Sequence, residues 1–441
     1  MLKITFLGAG STVFARSVLG DCMSSEALRG CEIALYDVNA QRLKESEKII
    51  SAINNGKGGY SKIVSFAGTD NLEKALCGAA FVVNAVQVGG YDPATIADFE
   101  IPKKYGLRQT IGDTLGIGGI MRALRTIPVM EQFARAMEKV CPQAWFLNYS
   151  NPMSILSGFM QRYTGVKTVG LCHSVQVCSH GLLKSLGMDD SLDGRKELIA
   201  GINHMGWLLE IRDKDNNDLY PEIKKRAKEK NTREKHHDMV RFDYIDKLGF
   251  YCTESSEHNA EYNPFYIKSK YPALINDFNI PLDEYPRRCI EQIKGWKTEY
   301  ENLSKADVLE HNRSGEYASY IMESIVTGNP YKIGGNVLNT GGSIGNLPHT
   351  ACVEVPCLVD SSGVRACHAG MLPVQLAAMN MTHINVHLIT LEAARTKKRE
   401  HIYHAAMLEP HTAAELSISD IVKMTDELLD AHKAWLPEYK K

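Results

Sequence analysis

The chain lacks the features of several specialised protein classes. Its 441 residues hold 50 Lys and Arg against 52 Asp and Glu, so it has no broad basic field that would bind nucleic acid. No apolar run approaches the roughly 20 residues that a membrane-spanning helix needs. The 11 cysteines are an odd number scattered along the chain, which argues against a disulfide framework. There is also no internal repeat and no low-complexity linker.

These absences leave a globular protein of ordinary composition. It is 44% hydrophobic and 23% charged, and its length suffices for two closely packed domains. Met1 runs almost directly into the strand-like segment Lys3–Leu7, which leaves no room for a signal peptide. We therefore expect a cytoplasmic protein, and a free thiolate can persist in that reducing compartment.

The first part of the chain alternates apolar strand-like runs with helical stretches, the pattern of a parallel doubly wound sheet. The predicted strands are Ile4–Leu7, Glu32–Tyr36, Phe81–Val88, Trp145–Asn148 and Thr168–Leu171. The predicted helices are Ala15–Cys22, Arg42–Ile53, Arg122–Val140 and one that opens at Asn151-Pro152.

Beyond Leu198 this alternation ends. The later predictions are sheet over Lys196–Ile211, solvated helix and loop over Arg212–Asp238, and packing helices over Leu372–Ala394 and Ala413–Leu436. We therefore predict an α/β fold with a Rossmann-type doubly wound sheet and a second α+β domain, as in lactate and malate dehydrogenases. The expected domains are residues 1–195 for the nucleotide and residues 196–441 for substrate, metal and subunit contacts, with a cleft between them.

A short glycine segment marks the predicted nucleotide site. Gly8-Ala9-Gly10-Ser11 stands where the first strand turns into a helix, so its backbone could approach a pyrophosphate, although Val13 replaces the usual third glycine. Asp37 ends the second strand, where a carboxylate binds ribose hydroxyls and favours NAD over its 2′-phosphorylated form. Asn84 and Gln87 could line the same crevice. A ligand-free turn and an acid that caps its strand locally are the alternatives.

A cysteine and a histidine form the predicted metal site. Cys172 follows a strand at its carboxyl end, the side on which such sheets bind ligands. Its thiolate and the imidazole of His204 would give a divalent ion two protein ligands and leave positions open for substrate oxygens. Asn148 and Asn151 end the preceding strand on the same side. The alternatives are a buried cysteine that acts as a small hydrophobe and a histidine satisfied within the core.

Seven segments carry a resemblance to a known family. They are FLGAGSTVFA, GIGGIMRALRTIP, NYSNP, GLCHSV, GINHM, ESSEHNAEYNPF and NTGGSIGNLPHTACVEVP. Their order and their spread over nearly the whole chain resemble the NAD-dependent glycoside hydrolases of family 4. His173, directly after Cys172, resembles the melibiase-type α-galactosidase branch, but α-glucosidases and α-uronidases of the family also place histidine there.

The resemblance implies a reaction unlike that of two-carboxylate glycosidases. Hydride passes from sugar C3 to NAD⁺, a base removes the proton that the new carbonyl has acidified at C2, and the glycosidic oxygen is eliminated. Water then adds to C1 and the hydride returns. A divalent metal, usually Mn²⁺ in the family and held here by Cys172 and His204, would stabilise the enediolate.

The resemblance also implies residue roles and partners. A tyrosine serves as the base, and Tyr262 is preferred to Tyr266. His173 holds the position of the leaving-group acid, and Asn151, with help from Asn148, would contact sugar hydroxyls. The expected substrate is a small α-glycoside, and we expect a homodimer or homotetramer that binds neither nucleic acid nor membrane.

Two other classes of function stay open at this point. A plain NAD-dependent 2-hydroxy acid dehydrogenase shares the nucleotide fold but needs no metal, so the Cys172 and His204 pair and the NYSNP segment argue against it. A non-catalytic NAD sensor would keep the glycines and Asp37 but not the hydrolase motifs.

Overall fold

One mixed sheet of 12 strands runs through the computed structural model, which describes residues 1–440. Six strands form its parallel half: β1 (Lys3–Leu7), β2 (Glu32–Asp37), β3 (Lys62–Ala67), β4 (Phe81–Asn84), β5 (Trp145–Asn148) and β6 (Lys167–Gly170). Their spatial order is β3-β2-β1-β4-β5-β6, which is the doubly wound order of Rossmann folds. The central strands β1 and β4 are buried along their whole length, as expected for parallel strands covered on both faces.

Seven helices connect these strands or follow them. They are α1 (Thr12–Ser24), α2 (Ala40–Gly56), α3 (Leu72–Leu76), α4 (Ile96–Lys104), α5 (Ile117–Val140), α6 (Met153–Tyr163) and α7 (His173–Ser185). The predicted fold class is confirmed in this half of the chain.

The sheet continues beyond β6 with antiparallel strands. They are β7 (Lys196–Ile202), β8 (Met205–Arg212), β9 (Tyr251–Cys252), β10 (Tyr331–Leu338), β11 (Cys352–Asp360) and β12 (Gly363–Ala366). β10 pairs with β6, and the order then runs β11-β7-β8-β9, with β12 against the other part of β11.

Ten helices belong to this second half. They are α8 (Tyr220–Arg233), α9 (Met239–Leu248), α10 (Ser256–Tyr262), α11 (Ala273–Asp277), α12 (Glu284–Leu303), α13 (Tyr317–Thr327), α14 (Val374–Thr396), α15 (Arg399–Leu408), α16 (Pro410–Glu415) and α17 (Ile418–Ala431). Helix α14 packs on α5 and α6 of the first half. The two expected domains therefore share a sheet and a helical layer, and a boundary after residue 195 stays a prediction.

Three predicted elements differ from the structure, and one strand of the parallel half was not predicted. The strand predicted over Phe81–Val88 ends at Asn84, because its neighbours β1 and β5 end opposite that residue and leave nothing to pair with. Helix α5 begins at Ile117, five residues earlier than predicted, and its buried glycines pack closely: a Cβ on Gly118 would lie within 2.1 Å of a backbone oxygen. The helix predicted over Ala413–Leu436 is divided into α16 and α17, and the edge strand β3 was not predicted.

The carboxyl ends of the parallel strands place the predicted site residues along one edge of the sheet. The glycine segment follows β1 and Cys172 follows β6, so both lie on the side where ligands bind in open α/β sheets. Within residues 1–440, no helix combines the length and the apolar character that crossing a bilayer requires.

Candidate active site

The glycine segment forms a tight turn between β1 and α1. Gly8 has φ 84°, in the left-handed region, and a Cβ there would lie 3.0 Å from backbone atoms of Ala85. The backbone N–H groups of Gly8 and Ala9 both donate to the carbonyl of Tyr36, at 2.9 and 3.0 Å. A residue other than glycine would therefore be strained and crowded at position 8.

Asp37 is held against this turn. Its Oδ2 accepts from the backbone N–H of Gly10 at 2.7 Å, and its Oδ1 accepts from that of Asn39 at 2.8 Å. Ser11 is exposed at the N-cap of α1, where the first N–H groups of the helix begin. The carboxylate of Asp37 and the N-terminus of α1 thus flank the same tight turn. This arrangement is typical of dinucleotide-binding sites.

The predicted asparagines divide into buried and accessible ones. Asn84 donates to Oδ1 of Asn148 at 2.9 Å, Asn148 donates to Oγ of Ser157 at 3.1 Å, and both asparagines are fully buried. These amides hold the ends of β4 and β5 together. Gln87 is exposed beyond β4 and Asn151 is partly exposed, so these two are the predicted amides that a ligand can reach.

Cys172, His204 and Glu254 converge on one point. Their potential ligand atoms all lie within 4.8 Å of one another. Cys172 is the N-cap of α7, His204 occupies the turn between β7 and β8 with φ 66°, and Glu254 follows β9. The structure thus brings the predicted Cys–His pair together and adds a carboxylate. The segment 254–262 is mostly buried and includes helix α10.

His204 connects this cluster to one of the two candidate tyrosines. Its Nδ1 lies 2.8 Å from the hydroxyl of Tyr262, and its Nε2 lies 3.3 Å from Oε2 of Glu254. Tyr266 instead donates its hydroxyl to Asp243 at 2.9 Å. Tyr262 is therefore the tyrosine whose hydroxyl adjoins the cluster.

Burial controls protonation in the cluster. Burial, with the nearby carboxylates of Glu354 and Glu254, raises the pKa of the Cys172 thiol, and burial together with surrounding acids raises the pKa of Tyr262 far above its usual range. Burial lowers the pKa of His204, which keeps the imidazole neutral. A divalent cation fits these residues, because it would stabilise the thiolate and the phenolate and accept a neutral imidazole as ligand.

A second set of potential metal ligands shares His204 and adds Asp113 and His258. Their ligand atoms also lie within 4.8 Å of one another. Asp113 forms an ion pair with Arg122 at 3.4 Å and accepts from the hydroxyl of Thr114 at 2.8 Å. These contacts already balance the charge of Asp113. Sequence patterns did not predict this residue, which precedes the quoted GIGG segment and matches no motif by itself.

His173 directly follows Cys172, and its ring packs near Phe14 on α1, the helix that follows the glycine turn. Its Nε2 lies 2.7 Å from Oε2 of Glu316, and that hydrogen bond raises the pKa of the imidazole. Its ring centroid is 5.7 Å from that of Tyr149 and 6.1 Å from that of Phe14 on α1. An imidazole with a carboxylate partner can deliver a proton, and Glu316 was not predicted.

Glu354 is a further buried acid beside the cluster. It accepts from the amides of Asn336 at 2.9 Å and Asn203 at 3.3 Å, and burial raises its pKa to about 7. Asn203 directly precedes His204, so this carboxyl group helps to fix the turn that carries the imidazole. It belongs to the segment NTGGSIGNLPHTACVEVP, one of the seven that carry the family resemblance.

Comparisons with known proteins identify the family. Residues 3–188 match the model of family 4 glycosyl hydrolases, and residues 199–412 match the model of the C-terminal domain of that family. The chain belongs to glycosyl hydrolase family 4. The predicted family is thereby confirmed.

The relatives cover the full length of this family 4 member. It is 58% identical over 440 residues to an α-galactosidase of Bacillus subtilis, with 100% of each chain covered. Its fold is similar to that of the putative glucosidase LplD of B. subtilis, with TM-score 0.86, 24% identity, and 97% of this chain and 100% of the other covered. A 6-phospho-β-glucosidase of Thermotoga maritima, solved with manganese, NAD⁺ and glucose-6-phosphate, gives TM-score 0.79 and 21% identity over 99% of this chain and 100% of the other.

Proposed function

We propose that this family 4 hydrolase is an α-galactosidase that requires NAD and a divalent metal ion, most simply Mn²⁺. The observation that carries the proposal is the convergence of Cys172, His204 and Tyr262 on the sheet edge that also carries the glycine turn. The 58% identical α-galactosidase supports the choice of sugar. The T. maritima structure with manganese and NAD⁺ supports the choice of cofactors.

Separate sets of residues would bind the two cofactors. Gly8, Gly10 and the start of α1 would bind the pyrophosphate, Asp37 the ribose, and Cys172 with His204 the metal ion. When bound, the dinucleotide would accept a hydride from sugar C3 and later return it, while the cation would stabilise negative charge on neighbouring sugar oxygens.

Tyr262 is the proposed base that takes the proton from C2. Its side chain is fully buried, which excludes bulk water, and its hydroxyl is fixed by His204 at 2.8 Å. Because burial raises its pKa, the phenol needs nearby positive charge before it can act as a base at neutral pH.

His173 is the proposed acid for the leaving oxygen. The bond to Glu316 holds the ring in one orientation and favours its protonated form. Asn151, which is partly exposed beside the site, is the proposed contact to sugar hydroxyls, and Gln87 could contribute to the nucleotide crevice. Asn84 and Asn148 would act indirectly by holding the strand ends.

The subunit organisation is also a proposal. We propose residues 1–195 as the NAD-binding domain, residues 196–441 as the domain for substrate, metal and subunit contacts, and a cytoplasmic homodimer or homotetramer. Light scattering on the purified protein would measure its mass in solution, and a monomer at micromolar concentration would contradict the oligomer.

The decisive assay compares nitrophenyl α-galactoside, α-glucoside and α-galacturonide with and without NAD⁺, Mn²⁺ and a thiol reductant. We expect cleavage of the α-galactoside only when both cofactors are present, without net accumulation of NADH. Preference for either other sugar would reassign the substrate within the family. NADH accumulation from a 2-hydroxy acid, without glycoside cleavage, would contradict the proposal as a whole.

A further inference from the structure

We infer that Glu254 is a third protein ligand of the divalent cation assigned above to Cys172 and His204. The inference rests on the proposed function for the presence of that cation, and it adds a carboxylate ligand to the site. The ligand atoms of the three residues lie within 4.8 Å of one another. Atoms that share one divalent ion at bond lengths of about 2.0–2.3 Å lie roughly 3–4.5 Å apart, so the cluster is of the size that one ion needs.

The contact between Glu254 and His204 is the first argument. Oε2 of Glu254 faces Nε2 of His204 at 3.3 Å, while Nδ1 of the same ring faces the Tyr262 hydroxyl. When Nδ1 carries the ring proton and donates it to the tyrosine oxygen, a lone pair on Nε2 faces the carboxylate. A cation bound by both groups satisfies the two electron-rich atoms at once.

The surroundings of Glu254 are the second argument. Its Oε1 accepts from the backbone N–H of Ser255 at 2.9 Å, which fixes the carboxylate while Oε2 faces the cluster. Among residues 1–440, the basic groups within 4.0 Å of this carboxylate are the imidazoles of His204 and His258, with no lysine or arginine. Asp113, by contrast, already pairs with Arg122.

Ligand chemistry is the third argument. A thiolate and an imidazole alone form a soft set that suits zinc or copper, whereas carboxylates suit manganese. One thiolate and one carboxylate also balance the two positive charges of the ion. Glu254 would therefore shift the preference of the site toward Mn²⁺.

The test is the substitution Glu254→Gln in the full-length protein, with metal binding measured in the absence of sugar. Glutamine keeps the size of the side chain and an acceptor for the Ser255 N–H, but it removes the charge. Equilibrium dialysis should show Mn²⁺ affinity reduced more than about 100-fold, beyond the effect usual for a residue that only supports a ligand, and Zn²⁺ affinity reduced less. The absorption spectrum of bound Co²⁺ should change as well.

Glu257→Gln is the matched control, because that carboxylate lies in the same segment but pairs with Arg288 at 2.7 Å. It should leave Mn²⁺ and Zn²⁺ binding unchanged. If Glu254→Gln fails to fold, as judged by thermal unfolding without metal, Glu254→Asp should keep the preference for Mn²⁺ over Zn²⁺ at reduced affinity.

Two results with Glu254→Gln would overturn the inference alone, and a third, with the unaltered protein, would overturn both proposals. Unchanged Mn²⁺ affinity in Glu254→Gln, or an unchanged Co²⁺ spectrum with weaker binding, would exclude Glu254 as a ligand and leave the proposed function standing. Failure of the unaltered protein to bind Mn²⁺ at all would overturn both proposals together.

Discussion

The hydroxyl of Tyr262 lies 2.8 Å from Nδ1 of His204, so the proposed base and the proposed metal ligand are in direct contact. Through this contact, a cation bound by the imidazole would influence the protonation of the phenol. Burial raises the pKa of Tyr262, and a cation bound by His204 would lie one side chain away, where it would favour the phenolate.

Replacement of Tyr262 by phenylalanine should lower kcat by about 10²- to 10⁴-fold, the usual contribution of a positioned base. The ring packing stays, so the thermal unfolding temperature should change little. Tyr266→Phe is the control, because its hydroxyl bonds to Asp243 outside the cluster and its loss should leave kcat within about fivefold. Equal losses of kcat in the two variants would contradict the proposal that Tyr262 is the base.

Replacement of His173 by glutamine should reduce kcat/KM most for substrates with poor leaving groups. A nitrophenolate leaves without protonation, whereas the sugar alkoxide released from melibiose needs an acid. We expect about 10²-fold loss of kcat/KM on melibiose and only a few-fold loss on nitrophenyl α-galactoside. Glu316→Gln, which keeps the shape of the partner at 2.7 Å, should give a weaker version of the same pattern. Similar losses on both substrates would argue for a structural role.

Replacement of Asp37 by alanine should weaken NAD⁺ binding about 10- to 150-fold, because hydrogen bonds to a charged group contribute about 1.5–3 kcal/mol. It should also reduce the discrimination against the 2′-phosphorylated cofactor, whose phosphate the carboxylate would repel. Titration calorimetry with both dinucleotides measures the two effects. An unchanged affinity ratio would show that Asp37 serves only the turn through Gly10.

Asp21 offers a test of stability against pH. Its buried carboxylate accepts from the Ser314 N–H at 2.7 Å and lies 2.7 Å from Nε2 of His311. Burial raises the pKa of Asp21, but the bonds from His311 and Ser314 outweigh burial and leave it below the usual value. The stabilisation is therefore complete above the unfolded-state pKa of about 3.9 and is lost as pH falls through the lower folded-state value.

Asp21→Asn should accordingly reduce the free energy of unfolding by about 3 kcal/mol at pH 5. The difference from the unaltered protein should shrink below about pH 4. Urea unfolding at pH values from 5 down to about 2 measures this difference. A difference that grows below pH 5 would have the wrong sign for a carboxylate with a lowered pKa.

The sequence predicted the parallel half of the fold well because parallel strands are buried on both faces and form continuous apolar runs. β1 and β5 agree with prediction within one residue. The edge strand β3 was missed because it is only partly buried and lacks such a run. Most of the antiparallel second half was also missed, since β10 and β11 depend on pairing with distant strands rather than on local pattern.

The residues themselves predicted only part of the site. Cys172 could be placed from its strand end and His204 was proposed as its partner, whereas Tyr262 came from the family resemblance. Glu254, Asp113 and Glu316 were missed, because residues far apart in sequence meet through tertiary packing that no spacing rule describes.

Loss of the C2 proton is the most direct test of the account. We propose hydrolysis of an α-galactoside carrying deuterium at C2, with the rate and the isotope content of the released galactose followed together. The account predicts that the label slows turnover or is lost to solvent. Galactose that keeps its deuterium and is formed at the rate of the unlabelled substrate would contradict it.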